Sequence, residues 1–238
     1  ACPVVPEFEG RDLFEGTIRH SVEYRRPDPF KGRRVLVVGC GNSGGEIASE
    51  LANTGVDTTV AVRSGANVVP LTLFGVPIQY VAYSMRRLPP GGKKVVVGLV
   101  QGVSRVRRGP PVLPVPPYGP LEHIPLIGFH LVDAIRSGRV RLAPGFRAFT
   151  GNGVTFTDGS HTEFDDVILA TGFQPALQPI APFVRVDGAG FALRRDRVAS
   201  ADRADLFFVG HNYDSTGGIM NIAKDAPLVA QHIAGNGR

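Results

Sequence analysis

Strand and helix patterns alternate along this chain and predict an α/β fold with a parallel sheet, a reading carried by three stretches. Residues 33–63, RRVLVVGCGNSGGEIASELANTGVDTTVAVR, read as strand, tight turn, helix and second strand. Residues 164–173, FDDVILATGF, set a short apolar strand directly before a run of small residues. Residues 206–210, LFFVG, form a further apolar run, and Gly217-Gly218 then precedes a long segment of helical periodicity. Short β-branched runs separated by helical patterns are what buried parallel strands and their crossovers produce.

The first stretch supplies the detail. Arg34-Val35-Leu36-Val37-Val38 is the strand, and Gly39-Cys40-Gly41-Asn42-Ser43-Gly44 gives G-x-G-x-x-G where the strand must become a helix. Gly39 makes the turn, Gly41 lets backbone approach a pyrophosphate, and Gly44 lets helix and strand pack closely. The helix from about Ser43 to Asn53 places Ile47, Ala48, Leu51 and Ala52 on one face, and Asn53-Thr54-Gly55 closes it. Its free N–H groups and positive dipole end suit a phosphate. Thr58 to Val62 is the next strand, and Arg63-Ser64 follows it. A chain selective for NAD carries Asp or Glu there to hold the ribose 2′-hydroxyl, whereas a guanidinium and a hydroxyl suit a 2′-phosphate. The expected cofactor is NADPH, and the expected fold is Rossmann-like.

Composition sets outer limits. The chain has 238 residues, 43% of them apolar, enough for one large domain or two small ones. Its 30 glycines and 20 prolines predict long loops. The two cysteines, Cys2 and Cys40, imply no disulfide framework and fit a reducing, cytoplasmic setting, and the absence of C-x-x-C argues against a dithiol redox site. No apolar run approaches the ~18 residues of a membrane span. The net charge of +5 is explained by a solvated surface and phosphate-bearing cofactors, so no nucleic-acid partner is expected. The chain does not begin with methionine, which is read as the mark of a fragment or a processed product.

Taken in order, residues 1–32 read as an extended interdomain lead-in segment, because their prolines exclude helices and central strands. After a loop over 64–70, Ile78 to Leu88 and Lys93 to Arg108 are expected helices, though Val95 to Val97 reads equally well as a strand. The basic residues Arg86, Arg87, Lys93, Lys94, Arg105, Arg107 and Arg108 are read as a solvated face. Seven prolines between Gly109 and Pro125 make a long ordered loop. A short amphipathic helix follows from Leu126, carrying Leu131, Val132 and Ile135. Val140–Leu142, Phe146–Phe149 and Val154–Phe156 are expected to form a small antiparallel meander, with turns at Gly151-Asn152-Gly153 and Asp158-Gly159. Val167 to Ala170 is a buried strand whose exit, Ala170-Thr171-Gly172, admits close approach of backbone or cofactor. Leu206–Gly210 is expected to be another buried strand. Asp225-Ala226-Pro227 is a point where the final helix could kink or divide.

One segment carries a family signature. Phe14-Glu15-Gly16-Thr17-Ile18-Arg19-His20-Ser21-Val22-Glu23-Tyr24 fits F-x-G-x-x-x-H-x-x-x-[YF], which resembles the identifying motif of the flavin-dependent monooxygenases (flavin-containing and YUCCA type). Phe14, Gly16, His20 and Tyr24 are the matching positions, immediately before the glycine turn as in that family. Ala170-Thr171-Gly172-Phe173 is similar to its A-T-G-[FY] element. The resemblance implies FAD and NADPH as cofactors, with hydride passing from NADPH to FAD. Oxygen would then pass from a C4a-hydroperoxyflavin to a small organic substrate, with O₂ as co-substrate. On that basis Gly39, Gly41, Asn42, Ser43, Gly44, Arg63 and Ser64 would hold NADPH, and Ala170, Thr171 and Gly172 would shape the hinge near it. Gly210, Thr216, Gly217 and Gly218 would lie near the flavin. The resemblance implies no catalytic side chain and no metal. It also implies that the insertion containing the basic residues varies among family members and often lies near the substrate entrance. Read without the family, His20 is a structural hydrogen-bonding histidine.

The family pattern has two glycine fingerprints, and this chain has one. The resemblance therefore implies an NADPH-binding domain over 33–165, with 166–238 as the C-terminal part of an incomplete FAD-binding domain. A separate FAD-binding segment or a homo-oligomer would be the partner. The alternative is an NADPH-binding module without catalytic activity of its own. A simple NADPH dehydrogenase lacks a visible proton relay.

Overall fold

The computed structural model describes residues 1–85, 87–119, 122–212, 214 and 217–235, with backbone alone at 90 and 103–108. In chain order the main elements begin with β1 (Thr17–His20), β2 (Arg34–Val38), α1 (Asn42–Asn53) and β3 (Asp57–Ala61). Helices α2 (Ile78–Met85), α3 (Pro90–Arg108) and α4 (His130–Arg136) follow. Then come β4 (Val140–Ala143), β5 (Phe146–Phe149), β6 (Gly153–Phe156), β7 (His161–Glu163), β8 (Asp166–Leu169) and α5 (Gly218–Gly235). They fall into two compact units: Val5–Ile78 with Arg87–Gly172, and Ala1–Val4 with Gln79–Arg86 and Phe173–Arg238.

The larger unit is organised on a five-stranded, all-parallel sheet in the order β1-β8-β2-β3-β4. The two-residue period of a strand divides the central side chains between two cores. Val35 and Val37 pack with Ile47, Leu51, Leu131 and Val140 on the helical face. Leu36 and Val38 pack with Phe149, Val154, Phe156 and Phe164 on the other. Each fully buried side chain of this size contributes roughly 1.5–3 kcal/mol. From β2 the chain steps through α1 to β3 and through α4 to β4, then returns to place β8 on the opposite flank of β2. The strand order therefore reverses between β2 and β8, at the carboxyl ends of the strands, where open α/β sheets form their binding crevices.

Several sequence expectations are corrected here. Val140–Ala143 is not the first strand of the meander but the outer parallel strand, because α4 and the turn at Gly138 return the chain alongside β3 with Val140 buried. The antiparallel sheet is β5-β6-β7 instead. Leu126–Ile127 forms a short parallel strand with Val68–Val69, and the helix begins only at His130. Of the two readings left open for Val95 to Val97 the structure has the helix, within α3. Thr17–His20 pairs with β8 and β8 pairs with β2, and the larger unit takes in Val5–Ile78 and Arg87–Gly172.

In the smaller unit, Cys2–Pro3 pairs antiparallel with Phe173–Gln174, and isolated bridges such as Ala199↔Phe207 replace regular strands. Leu206–Gly210 is therefore not a buried strand; Phe208 is buried, but Val209 is 46% exposed. The apolar core is small, centred on Val184, Ala192 and Phe208. Pro227 lies inside α5, which runs unbroken to Gly235.

Candidate functional site

The glycine turn sits at the reversal of strand order, and each glycine there meets a different constraint. Gly39 has φ +106°, and a methyl on it would lie 2.7 Å from the Ala170 carbonyl oxygen. Its N–H donates to Ala61 O at 3.0 Å, tying the turn to the end of β3. A methyl on Gly44 would overlap the Gly39 carbonyl and lie 3.1 Å from Ala170 Cβ. Gly41 differs: no atom lies within 4 Å of the place its Cβ would occupy. Turn, packing and open approach are thus divided among three glycines, as a phosphate-cradling turn requires. The first turn of α1 adds N–H groups that have no partner within the helix. Cys40 is buried in this turn, and burial pushes its thiol pKa up, which makes it a poor nucleophile.

The Asn42 side chain is engaged within the protein. Its amide donates to Pro125 O at 3.1 Å and accepts from Ile127 N–H at 2.8 Å, holding the 125–127 segment against the turn. Ser43 is exposed beside Gly41. Arg63 is exposed and Ser64 half-buried just past β3, and no ion pair of Arg63 is found among the described residues. Ala170 donates its N–H to Val38 O at 2.9 Å, which continues the β8–β2 ladder by one residue. Thr171 is half-buried, and Gly172, at φ +96°, is exposed.

The lead-in motif fastens this exit. His20 is 4% exposed; its Nδ1 accepts from Val22 N–H at 3.2 Å, so Nε2 carries the proton and donates to Gly172 O at 3.1 Å. Phe14 packs in the core beside Phe149, and a methyl on Gly16 would overlap both the Phe14 ring and the Asp165 carbonyl. Tyr24 donates its hydroxyl to Glu50 on α1 at 3.0 Å. All four motif positions therefore anchor the lead-in segment to β8, the A-T-G exit and α1. Sequence reasoning overlooked the acidic pair at the start of β8. Asp166, 1% exposed, pairs with Arg19 and Arg33, while Asp165 pairs with Arg34 at 2.9 Å. The hydrogen bonds from Arg34 hold the Asp165 carboxyl below its usual range. Two adjacent carboxylates ahead of an apolar strand were the available signal.

Gly210, Gly217 and Gly218 lie in the smaller unit, and Thr216 lies outside the described residues. Gly210 has φ +69° and Gly217 φ +87°. A buried network supports this region. Asp225 accepts from Arg197, from Gly210 N–H at 2.9 Å and from Asn212 at 3.1 Å. Asn221 accepts from Arg197 at 2.7 Å and donates to Asp214 at 3.1 Å. Among the described residues no cluster of His, Cys, Asp or Glu could hold a metal ion, and no helix is long and apolar enough to cross a membrane.

The fold and turn together define a Rossmann-type α/β protein, and comparison with known proteins narrows the class. The profile of the flavin-binding monooxygenase-like family matches residues 2–86. Indole-3-pyruvate monooxygenase YUCCA8 of Oryza sativa subsp. indica is 34% identical, over 98% of this chain and 57% of its own length. Indole-3-pyruvate monooxygenase YUCCA6 of Arabidopsis thaliana is 31% identical, over 98% and 58%. Among solved structures, the flavin-containing monooxygenase of Stenotrophomonas maltophilia superposes with a TM-score of 0.66 at 22% identity, covering 98% of this chain and 59% of that one. Cyclohexanone monooxygenase from Rhodococcus sp. Phi1, solved bound to NADP+, superposes at 0.63 and 16% identity, over 98% and 58%. The chain belongs with the flavin-binding monooxygenases and spans 57% of the length of its rice relative.

Proposed function

We propose that this chain carries the NADPH-binding part of a flavin-dependent monooxygenase, together with C-terminal elements of its FAD-binding domain. The observation that supports this most is the open space over Gly41, between a left-handed Gly39 and a tightly packed Gly44, at the strand-order reversal. The residues present fit a dinucleotide. Backbone at Gly39, Gly41, Asn42, Ser43 and Gly44 would hold the pyrophosphate, and Arg63 with Ser64 would take the 2′-phosphate. Bound NADPH would supply hydride and FAD would accept it and activate O₂ for transfer to a small organic substrate. The chain's own contribution is positioning. His20 locks the carbonyl of Gly172, Asn42 locks residues 125–127, and Ala170 leaves room for the turn. Gly210, Thr216, Gly217 and Gly218 would serve the flavin end.

A second reading, a nucleotide-binding module without turnover of its own, is favoured by the single glycine fingerprint and by α5. That helix buries Asn221 and Asp225 while Ile219 is 87% and Ile233 61% exposed, an arrangement suited to a covering partner. A FAD-binding segment or a second copy would supply it. Visible absorption of the chain incubated with FAD separates the readings. Retained flavin that NADPH bleaches and air restores is the result expected of a monooxygenase. Colourless protein that still binds NADPH supports the module.

A further inference from the structure

We propose that the hairpin Thr72–Pro77 and the adjoining face of α3 dock onto an anionic lipid surface, with Phe74 entering the lipid and Lys93 and Lys94 at the headgroups. This goes beyond the nucleotide reading and does not depend on it. The first observation is charge. From Thr58 to Leu121 the sequence has no Asp or Glu but eight of the 26 Lys and Arg, which leaves 18 cations against 21 anions elsewhere. The chain's whole positive excess thus comes from one acid-free segment, and net charge that is so localised attracts a polyanionic surface.

The second observation is what that segment exposes. The hairpin pairs Thr72 with Pro77 and Leu73 with Val76, leaving Phe74 and Gly75 at its tip. Phe74 is 90% exposed, with Leu71 at 51% and Val76 at 46% beside it. On α3, Val95 and Leu99 stand one turn apart at 63% and 64% exposure, next to exposed Lys94. Phe74 also has φ +50°, alone among the described non-glycine residues in being positive. A hairpin tip with positive φ at both central residues selects Asn-Gly or Asp-Gly on backbone grounds, so a bulky aromatic there is strained as well as solvated. Neither folding nor solubility accounts for it, whereas insertion into a bilayer does.

The two features share one edge of the larger unit. Helix α3 packs on Val68–Val69, the strand from which the hairpin leaves almost at once. A cavity of about 140 Å³ walled by Ala66, Val68, Gln101, Pro111 and Val115 also brings the strand, the helix and the proline loop together. Lipid is favoured over other partners by the mixture of groups. A second copy would bring the positive charge of this acid-free segment against its own kind. A nucleic acid would satisfy the cations but leave Leu71, Val76, Val95 and Leu99 without an apolar partner.

Vesicle flotation of the full chain tests the proposal. At about 0.1 M salt it is expected to float with phosphatidylcholine vesicles containing about one-third phosphatidylglycerol and not with pure phosphatidylcholine, and higher salt should release it. Phe74→Ser, and separately the double variant K93E/K94E, should each lower the vesicle partition roughly tenfold. Thermal unfolding verifies that each variant folds. The chain has no tryptophan, so Phe74→Trp provides a conservative second measurement, its emission shifting to the blue on anionic vesicles. No flotation, equal flotation with neutral vesicles, an unshifted tryptophan, or binding to single-stranded RNA in place of vesicles would each overturn the proposal.

Discussion

Gly41 and Gly44 stand three residues apart in one motif, yet substitution should affect them in different ways. Gly41→Ala has room for its methyl and an ordinary backbone conformation, so it should leave the unfolding midpoint nearly unchanged while weakening NADPH binding. Gly44→Ala drives a methyl into the Gly39 carbonyl and against Ala170, an overpacking that should cost about 3 kcal/mol. Denaturant titration and nucleotide titration of the pair separate the two effects; equal destabilisation by both would contradict the division of roles. Arg63→Ala should remove one or two charge-assisted hydrogen bonds to the 2′-phosphate, weakening NADPH about tenfold to a hundredfold with little effect on NADH. Equal losses for the two nucleotides would assign Arg63 to the surface.

At the scale of elements, the sequence was legible where local pattern and tertiary role coincide. Apolar β-branched runs became β2, β3 and β8, and the glycine turn opened α1 where expected. What could not be read locally was partner choice. Val140–Ala143 has the pattern of a strand in either sheet, and only the return of α4 beside β3 decides between them. Helix α5 is a stronger case, because its apolar periodicity predicts a buried apolar face, whereas Asn221 and Asp225 are the residues buried at 0% exposure. Asp225 is buried because Arg197, Asn212 and the Gly210 N–H converge on it, a long-range arrangement with no sequence periodicity. Asp225→Ala should therefore cost roughly 3 kcal/mol, because it leaves the Arg197 guanidinium uncompensated. An unchanged denaturation midpoint would show the network to be dispensable. Asn42→Ala should release the 125–127 segment for about 1–2 kcal/mol, since Ile127 N–H loses its acceptor.

Across the whole molecule, titration should weaken the fold in two steps as pH falls. His211 accepts the Ala192 N–H at Nε2, and burial foremost, with Arg194 nearby, pushes its pKa below the ordinary 6.5. The unfolded chain then binds the proton more readily, so stability from this group is complete above pH ~6.5 and declines below it. Asp165, held low by Arg34, contributes stability above its ordinary value of 3.8 that is lost as pH falls below it. Urea midpoints measured against pH should trace both, and His211→Gln should remove the upper step alone. The central claim concerns the nucleotide, and calorimetric titration of the full chain with NADPH and with NADH tests it most directly. The account predicts saturable binding of NADPH, at least about tenfold tighter than NADH. Absence of NADPH binding, or equal affinity for the two, would contradict it.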